Sequence, residues 1–294
     1  MRNTISVPER KHRRRLAWYI GKFVLWAFTR ETIHGQENFP ERGPYIVAGN
    51  HRGIMEVFLM VSACPHNIEV LGAGDIPLDR RYRYLADYYG YIPYKRGQMD
   101  RQALMTAEKV LEERRIVGIF PEGGIWKAAR KSAHRGVAWL SFASGAPVVP
   151  VGFAGINQAV WRMFRLQNPK LETWVGKPIP LPRRDRSVPR KKQMEAHAEY
   201  ILDNIDALIP DWDKGEQTGP EWEEYELHVW VTEPGKRSVN AGGDVRNPEV
   251  LAHFFHIPVM MDALYYNLKR RRVKPLRKFL RVHKAKDVYR AVCV

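Results

Sequence analysis

The sequence predicts an α/β fold with a largely parallel central sheet flanked by helices, and three observations carry that prediction. Between Gly43 and Phe153, short apolar, β-rich runs alternate with longer helix-like stretches, the pattern of strands joined by crossover helices. One such stretch, Met99 to Arg115, places Leu104, Ala107, Val110 and Leu111 at helical spacing with charged residues elsewhere, so it reads as an amphipathic crossover. At 294 residues the chain can bury one large core, or one core with an appendage. Its 11% aromatic content is too costly to leave in water, which excludes disorder throughout.

Taken in order, the elements begin with a basic and then apolar segment, Lys11 to Arg15 followed by Leu16 to Phe28. The layout is that of a signal peptide, but Lys22 interrupts the apolar run and no small-residue cleavage site follows. The run is also short for a span, since roughly 20 residues are needed to cross the hydrocarbon. Trp18, Tyr19, Trp26 and the basic flank suit a helix lying in the headgroup layer. An ordinary core helix and a true span are the alternatives. Residues 1–34 are therefore read as a membrane-surface segment, peripheral or monotopic.

The expected strands are Tyr45 to Ala48, Val70 to Ala73, Tyr91 to Tyr94, Val117 to Phe120 and Val148 to Phe153. After them come a strand-like Leu171 to Val175 and a helix from Lys191 to Leu208, which Pro210 ends. This assigns residues 35–210 to one domain. Residues 211–294 are a linker and a basic extension: a polar stretch with Gly215 and Gly219, a strand-like Tyr225 to Val231, a Gly-rich turn at Ala241 to Asp244, and a helix from near Pro248 into Lys269 to Arg272. The apolar run His253 to Tyr265, followed by the basic Lys269 to Lys286, fits an anionic membrane face, a protein partner, or a core helix with a solvated tail.

Lys and Arg total 48 against 32 acids, a formal charge of +16 that attracts polyanions. Nucleic acid, an anionic bilayer and phosphate-bearing small molecules all qualify by charge. No helix-turn-helix, zinc-finger or RNP-like signature accompanies it, so nucleic acid is not the expected partner. Cys64 and Cys293 match neither a CxxC nor a zinc-ligand spacing, which points to a reducing, cytoplasmic side and no metal.

Four motifs carry candidate chemistry. The first is Gly49-Asn50-His51-Arg52-Gly53-Ile54-Met55-Glu56, an H-x4-E. Spacing alone is weak, since His228 to Glu233 repeats it inside an apolar run without companions. His51 differs in position: it follows one strand and precedes a helix, at the carboxyl end where α/β folds place ligands. Residues five apart on a continuous helix lie about 140° apart, so His51 must sit in the loop ahead of the helix and turn back toward Glu56. The carboxylate would then fix the imidazole tautomer and support the imidazolium formed on taking a hydroxyl proton.

The second motif is Phe120-Pro121-Glu122-Gly123-Gly124, again at a strand's carboxyl end, where glycines admit a substrate oxygen to backbone N–H groups and a carboxylate can orient a hydroxyl. A plain β-turn is the alternative. The third, Gly90 to Gly97, ends in Arg96, which could hold phosphate bidentately. The fourth, Gly145 to Gly152, is a buried strand whose prolines suit an edge or a strand start.

In this order the four motifs resemble those of the glycerophosphate and lysophosphatidate acyltransferases, whose blocks run N-H-x4-D, a strand ending in Arg-Gly, F-P-E-G-T-R and P-V-V-P-V. The resemblance covers about Gly35 to Leu181. It implies a glycerophosphate acyltransferase-like fold, with His51 as general base, Glu56 as its partner, Arg96 as phosphate ligand, and Glu122 with Gly123 positioning the acceptor. Backbone donors near Gly123 and Gly124 would face the oxyanion. It also implies membrane lipids as partners, an acyl thioester on coenzyme A or acyl carrier protein as co-substrate, and no cofactor.

Three departures stand out. Glu56 replaces the usual Asp, Gly124-Ile125 replaces Thr-Arg, and Ala73-Gly74-Asp75-Ile76 stands where a Lys is common. The expected activity is acyl transfer to the hydroxyl of a lipid or lysophospholipid-like acceptor at the cytoplasmic face of a membrane. A catalytically altered relative serving as lipid-binding or scaffold protein is the alternative.

Overall fold

The computed structural model describes residues 9–73, 80–94, 100–123, 133–157, 159–182 and 185–215, and strands at 226–231, 239–240, 281–285 and 288–293. Residues 1–75 and 84–217 form a first unit. Its strands are β1 (Arg30–His34), β2 (Tyr45–Gly49), β3 (Ile68–Ala73), β4 (Ile92–Tyr94), β5 (Ile116–Ile119), β6 (Val148–Ala154) and β7 (Lys170–Val175). They lie in the order β1-β7-β6-β2-β5-β3-β4, with every pairing parallel except β6 to β7. The largely parallel sheet is therefore present, and each expected strand is found with shifted ends. β1, which falls in the segment 1–34, is the edge strand and pairs along β7.

The helices are α1 (Lys11–Phe28), α2 (Met55–Ala63), α3 (Arg80–Tyr89), α4 (Arg101–Glu112), α5 (Gly136–Ser144), α6 (Ala159–Phe164) and α7 (Arg190–Leu208). Helix α4 starts where Asp100 accepts the Ala103 N–H at 3.1 Å, a side-chain N-cap. It buries the expected stripe of Leu104, Ala107, Val110 and Leu111. Side chains alternate across each strand, and both faces of β2 are covered. Ile46 and Ala48 join the core under α4, α5 and α7, whereas Tyr45 and Val47 join the one holding Leu25 of α1 and Leu59 and Met60 of α2. This explains why β2 reads as an unbroken apolar run.

Two expectations are corrected here. The proline-containing strand β6 is interior, between β7 and β2. Pro150 is tolerated because it sits at the last rung toward β7, where its carbonyl accepts the Gly176 N–H at 2.9 Å and only the reciprocal bond is missing. The basic flank of α1 is also not uniformly free for headgroups. Arg14 is buried, pairs with Glu69 of β3, and donates to the carbonyls of Glu9, Tyr89 and Gly90. Arg115 shares the same Glu69 carboxylate. Among the described residues, no helix is long and apolar enough to cross a membrane.

A second unit comprises residues 218–294 with 76–83. It carries a four-stranded sheet of β8 (Glu226–Val231), β9 (Val239–Asn240), β10 (Arg281–Ala285) and β11 (Val288–Cys293), in the order β10-β11-β8-β9. Part of the basic run Lys269 to Lys286 is thus a strand, β10, paired antiparallel with β11. The Gly-rich turn at 241–244 and the helix expected from Pro248 lie outside the described residues.

Candidate active site

Strands β2 and β5 are parallel neighbours, so the loops that leave their carboxyl ends emerge side by side. The β2 loop carries Asn50, His51, Arg52 and Gly53 ahead of α2, and the β5 loop carries Phe120, Pro121, Glu122 and Gly123. His51 lies in the loop and Glu56 in the first turn of α2, the placement that their spacing demanded.

The two loops are joined. The His51 imidazole stacks on the Phe120 ring with centroids 4.2 Å apart and 19° between planes. The backbone N–H of His51 donates to Glu122 Oε1 at 3.0 Å. The next two amides turn to the other carboxylate: Glu56 Oε1 accepts from the N–H of Arg52 and from that of Gly53 at 2.8 Å. Three successive amides thus face two buried acids, a small anion-holding nest.

In this arrangement Glu56 holds the loop rather than the ring. Its Oε2 is buried without a hydrogen-bond partner among the described residues. Burial pushes the Glu56 carboxyl up to about 8, opposed by the amides it accepts from. Burial likewise pushes Glu122 up to about 7, opposed by the His51 amide and the Arg52 charge.

Asn50 fixes the other side of His51. Its amide donates to the Phe153 carbonyl at 3.0 Å and accepts the Phe153 N–H at 2.7 Å, continuing the β2–β6 ladder with a side chain. Gly123 has φ +68°, and a Cβ there would lie 2.5 Å from His134 Cδ2, so only glycine fits. Its N–H donates to the Phe120 carbonyl at 3.1 Å, closing a turn, and is therefore not an open oxyanion donor as expected. Arg96 and Gly124 lie outside the described residues. Among the described residues, no cluster of three or more His, Cys, Asp or Glu could hold a metal ion.

Sequence reasoning missed what Asn50 and Arg52 do. Both stand inside the first motif, and the signal was their polarity at a strand end, where the backbone runs out of partners.

Comparison with known proteins assigns the class first. Residues 30–154, from β1 to the end of β6, match the family model described as Acyltransferase. A 1-acyl-sn-glycerol-3-phosphate acyltransferase of Bacillus subtilis is 21% identical over 60% of this chain and 90% of its own. One of Borreliella burgdorferi is 27% identical over 46% of this chain, which spans 56% of that relative's length. The crystal structure of the 1-acyl-sn-glycerophosphate (LPA) acyltransferase PlsC from Thermotoga maritima aligns with TM-score 0.49 and 18% identity, over 67% of this chain and 81% of that one. The chain is an acyltransferase enzyme whose residues 30–154 match that family model, and it is similar to the 1-acylglycerol-3-phosphate acyltransferases.

Proposed function

We propose that the enzyme moves a fatty acyl group from an acyl thioester, on coenzyme A or acyl carrier protein, to a free hydroxyl of a glycerophosphate-like lipid at a membrane surface. The observation that carries this reading is the junction of the two loops, His51 stacked on Phe120 and hydrogen bonded through its backbone to Glu122. In this reading His51 is the general base, and the Glu122 carboxylate beside its loop orients the acceptor.

In the proposed step, His51 takes the proton of the acceptor hydroxyl as its oxygen attacks the thioester carbonyl. The tetrahedral intermediate collapses, the C–S bond breaks, and the imidazolium returns its proton to the departing thiolate. Glu56 acts first by fixing the 51–53 loop, and once ionised, above about pH 8, it would also favour the imidazolium. Catalytic hydrogen bonds often tighten only in the substrate complex, which is where the Glu56 and His51 side chains would pair. The amides of residues 51, 52, 53 and 123 already have acceptors, which leaves Gly124 as the oxyanion donor that the sequence offers.

The surface of α1 supports action at a bilayer. Leu16, Tyr19, Ile20, Phe23 and Trp26 follow helical spacing and are each more than half exposed, a stripe suited to the interface. An acceptor panel with acyl-CoA and acyl carrier protein donors tests the substrate assignment. His51→Ala tests the mechanism: turnover equal to the native enzyme would remove His51 as the base.

A further inference from the structure

The residue after His51 makes the longest reach in the site. Arg52 is only 5% exposed, although arginine is rarely buried without a partner. Its guanidinium Nη1 donates to the Asp213 backbone carbonyl and lies 3.7 Å from Asp213 Oδ2. Asp213 stands in a short 3-10 turn, Asp211–Asp213, just past the end of α7. The Asp213 side chain is itself only 9% exposed.

The two neighbours of His51 are therefore both held by residues outside their own loop. Asn50 is bound to Phe153 of β6, and Arg52 to Asp213. We propose that Arg52 and Asp213 form a latch that positions the His51 loop, making the stretch after α7 part of the catalytic unit rather than a linker. Both are positioning residues: they act through His51 and need not touch substrate. The inference rests on His51 being the base.

The latch predicts a loss in turnover without a matching loss in binding. A displacement of His51 by a fraction of its contact distance lowers the rate of proton transfer, while the surfaces that hold the acceptor and donor stay in place. Removing the guanidinium in Arg52→Met should lower kcat by about 100-fold with KM within about twofold. Arg52→Lys, which keeps the charge but not the fork, should recover part of that loss. Asp213→Asn keeps the backbone carbonyl that Arg52 donates to and removes the charge, so a drop of about tenfold is expected. Because both residues work through one contact, the double variant should be little worse than Arg52→Met alone.

The full-length variants are to be compared in kinetics, with thermal melting to establish that each is folded. A folded Arg52→Met with native kcat, or losses that multiply fully in the double variant, overturns the latch. If Arg52→Met does not fold, Arg52→Lys and Asp213→Asn decide: native kcat in either folded protein is equally fatal. His51→Ala is measured alongside. If it retains turnover, the assignment of the base fails, a different outcome from latch variants that stay active while His51→Ala is dead.

Discussion

Glu122 Oε1 accepts the backbone N–H of His51 at 3.0 Å, so the loops leaving two adjacent parallel strands are tied at the residue proposed to move the proton. The bond is buried on the carboxylate side, where Glu122 is 5% exposed. A buried amide left without an acceptor costs about 1–3 kcal/mol. The acid is thus structural as well as the proposed orienter of the acceptor, and substitutions can separate the two roles.

Glu122→Ala should destabilise the fold by about 1–3 kcal/mol and lower kcat by about 100-fold, because the His51 amide loses its acceptor and the loop its register. Glu122→Gln offers a carbonyl oxygen to the same amide and should keep most of the stability. Urea melts beside steady-state kinetics check both, and equal stability of the two variants would show that the bond contributes nothing.

The two buried acids set a pH dependence of stability. Glu56 is pushed up to about 8 and Glu122 to about 7 from an ordinary 4.5, in both cases chiefly by burial. Between 4.5 and those values the unfolded chain has released protons that the folded chain still holds, so folding takes up protons. Their contribution to stability therefore falls as pH rises from about 4.5 to about 8 and is level beyond. Glu56→Gln should flatten that decline, which Tm measured at intervals from pH 5 to pH 9 will show. An unchanged slope would mean that Glu56 is ionised across the range.

Glu56→Asp restores the acid usual at this position in the resembled motif, yet a loss is expected. The longer side chain is what brings Oε1 to the amides of both Arg52 and Gly53. Aspartate, one methylene shorter, leaves at least one of them unpaired, at a cost of about 1–3 kcal/mol and a lower kcat. A variant as stable and active as the native enzyme would show that the loop adjusts freely.

Gly123→Ala should impair the enzyme although it adds a single methyl. The residue has φ +68°, where an L side chain is strained, and the new Cβ would meet His134 Cδ2 at 2.5 Å and Nε2 at 2.7 Å. A left-handed non-glycine residue costs about 1–2 kcal/mol, and His134 must also give way. A Tm drop with lower kcat is the expected result; native Tm and rate would place the loop in a different conformation.

The parts of this enzyme that follow from local pattern were legible in the sequence. Strand β2 reads as an apolar run because both its faces are covered, and α4 announces itself through Leu104, Ala107, Val110 and Leu111. The loop position of His51 follows from its place between an apolar strand run and a helix-like stretch. What was not legible depends on pairings between distant residues. Nothing in a basic N-terminal run distinguishes Arg14, buried against Glu69, from its exposed neighbours. Asp213 reads as part of a polar linker because its partner Arg52 is 161 positions away. The role of Glu56 as a loop acceptor was missed because an acid five residues after a histidine suggests a dyad first, whereas the unpaired amides of a strand-to-helix turn claim the nearest carboxylate.

The apolar stripe of α1 gives the last prediction. Phe23 and Trp26 are 62% and 77% exposed, stack obliquely with centroids 5.9 Å apart, and lie away from Leu25, which enters the core. Replacing either with Asp therefore leaves the packing of the fold alone while placing a charge where acyl chains would be met. Phe23→Asp and Trp26→Asp should keep native Tm and turnover on dispersed short-chain substrate, and lose flotation with vesicles containing anionic phospholipid. Two residues that each bury about 150–250 Å² account together for a large part of such an interface. Since Arg14 is held by Glu69, the exposed basic residues of the same helix would supply the attraction to anionic headgroups, and raising salt should weaken native binding. Flotation unchanged in both variants would assign the stripe to another surface and withdraw α1 from the membrane.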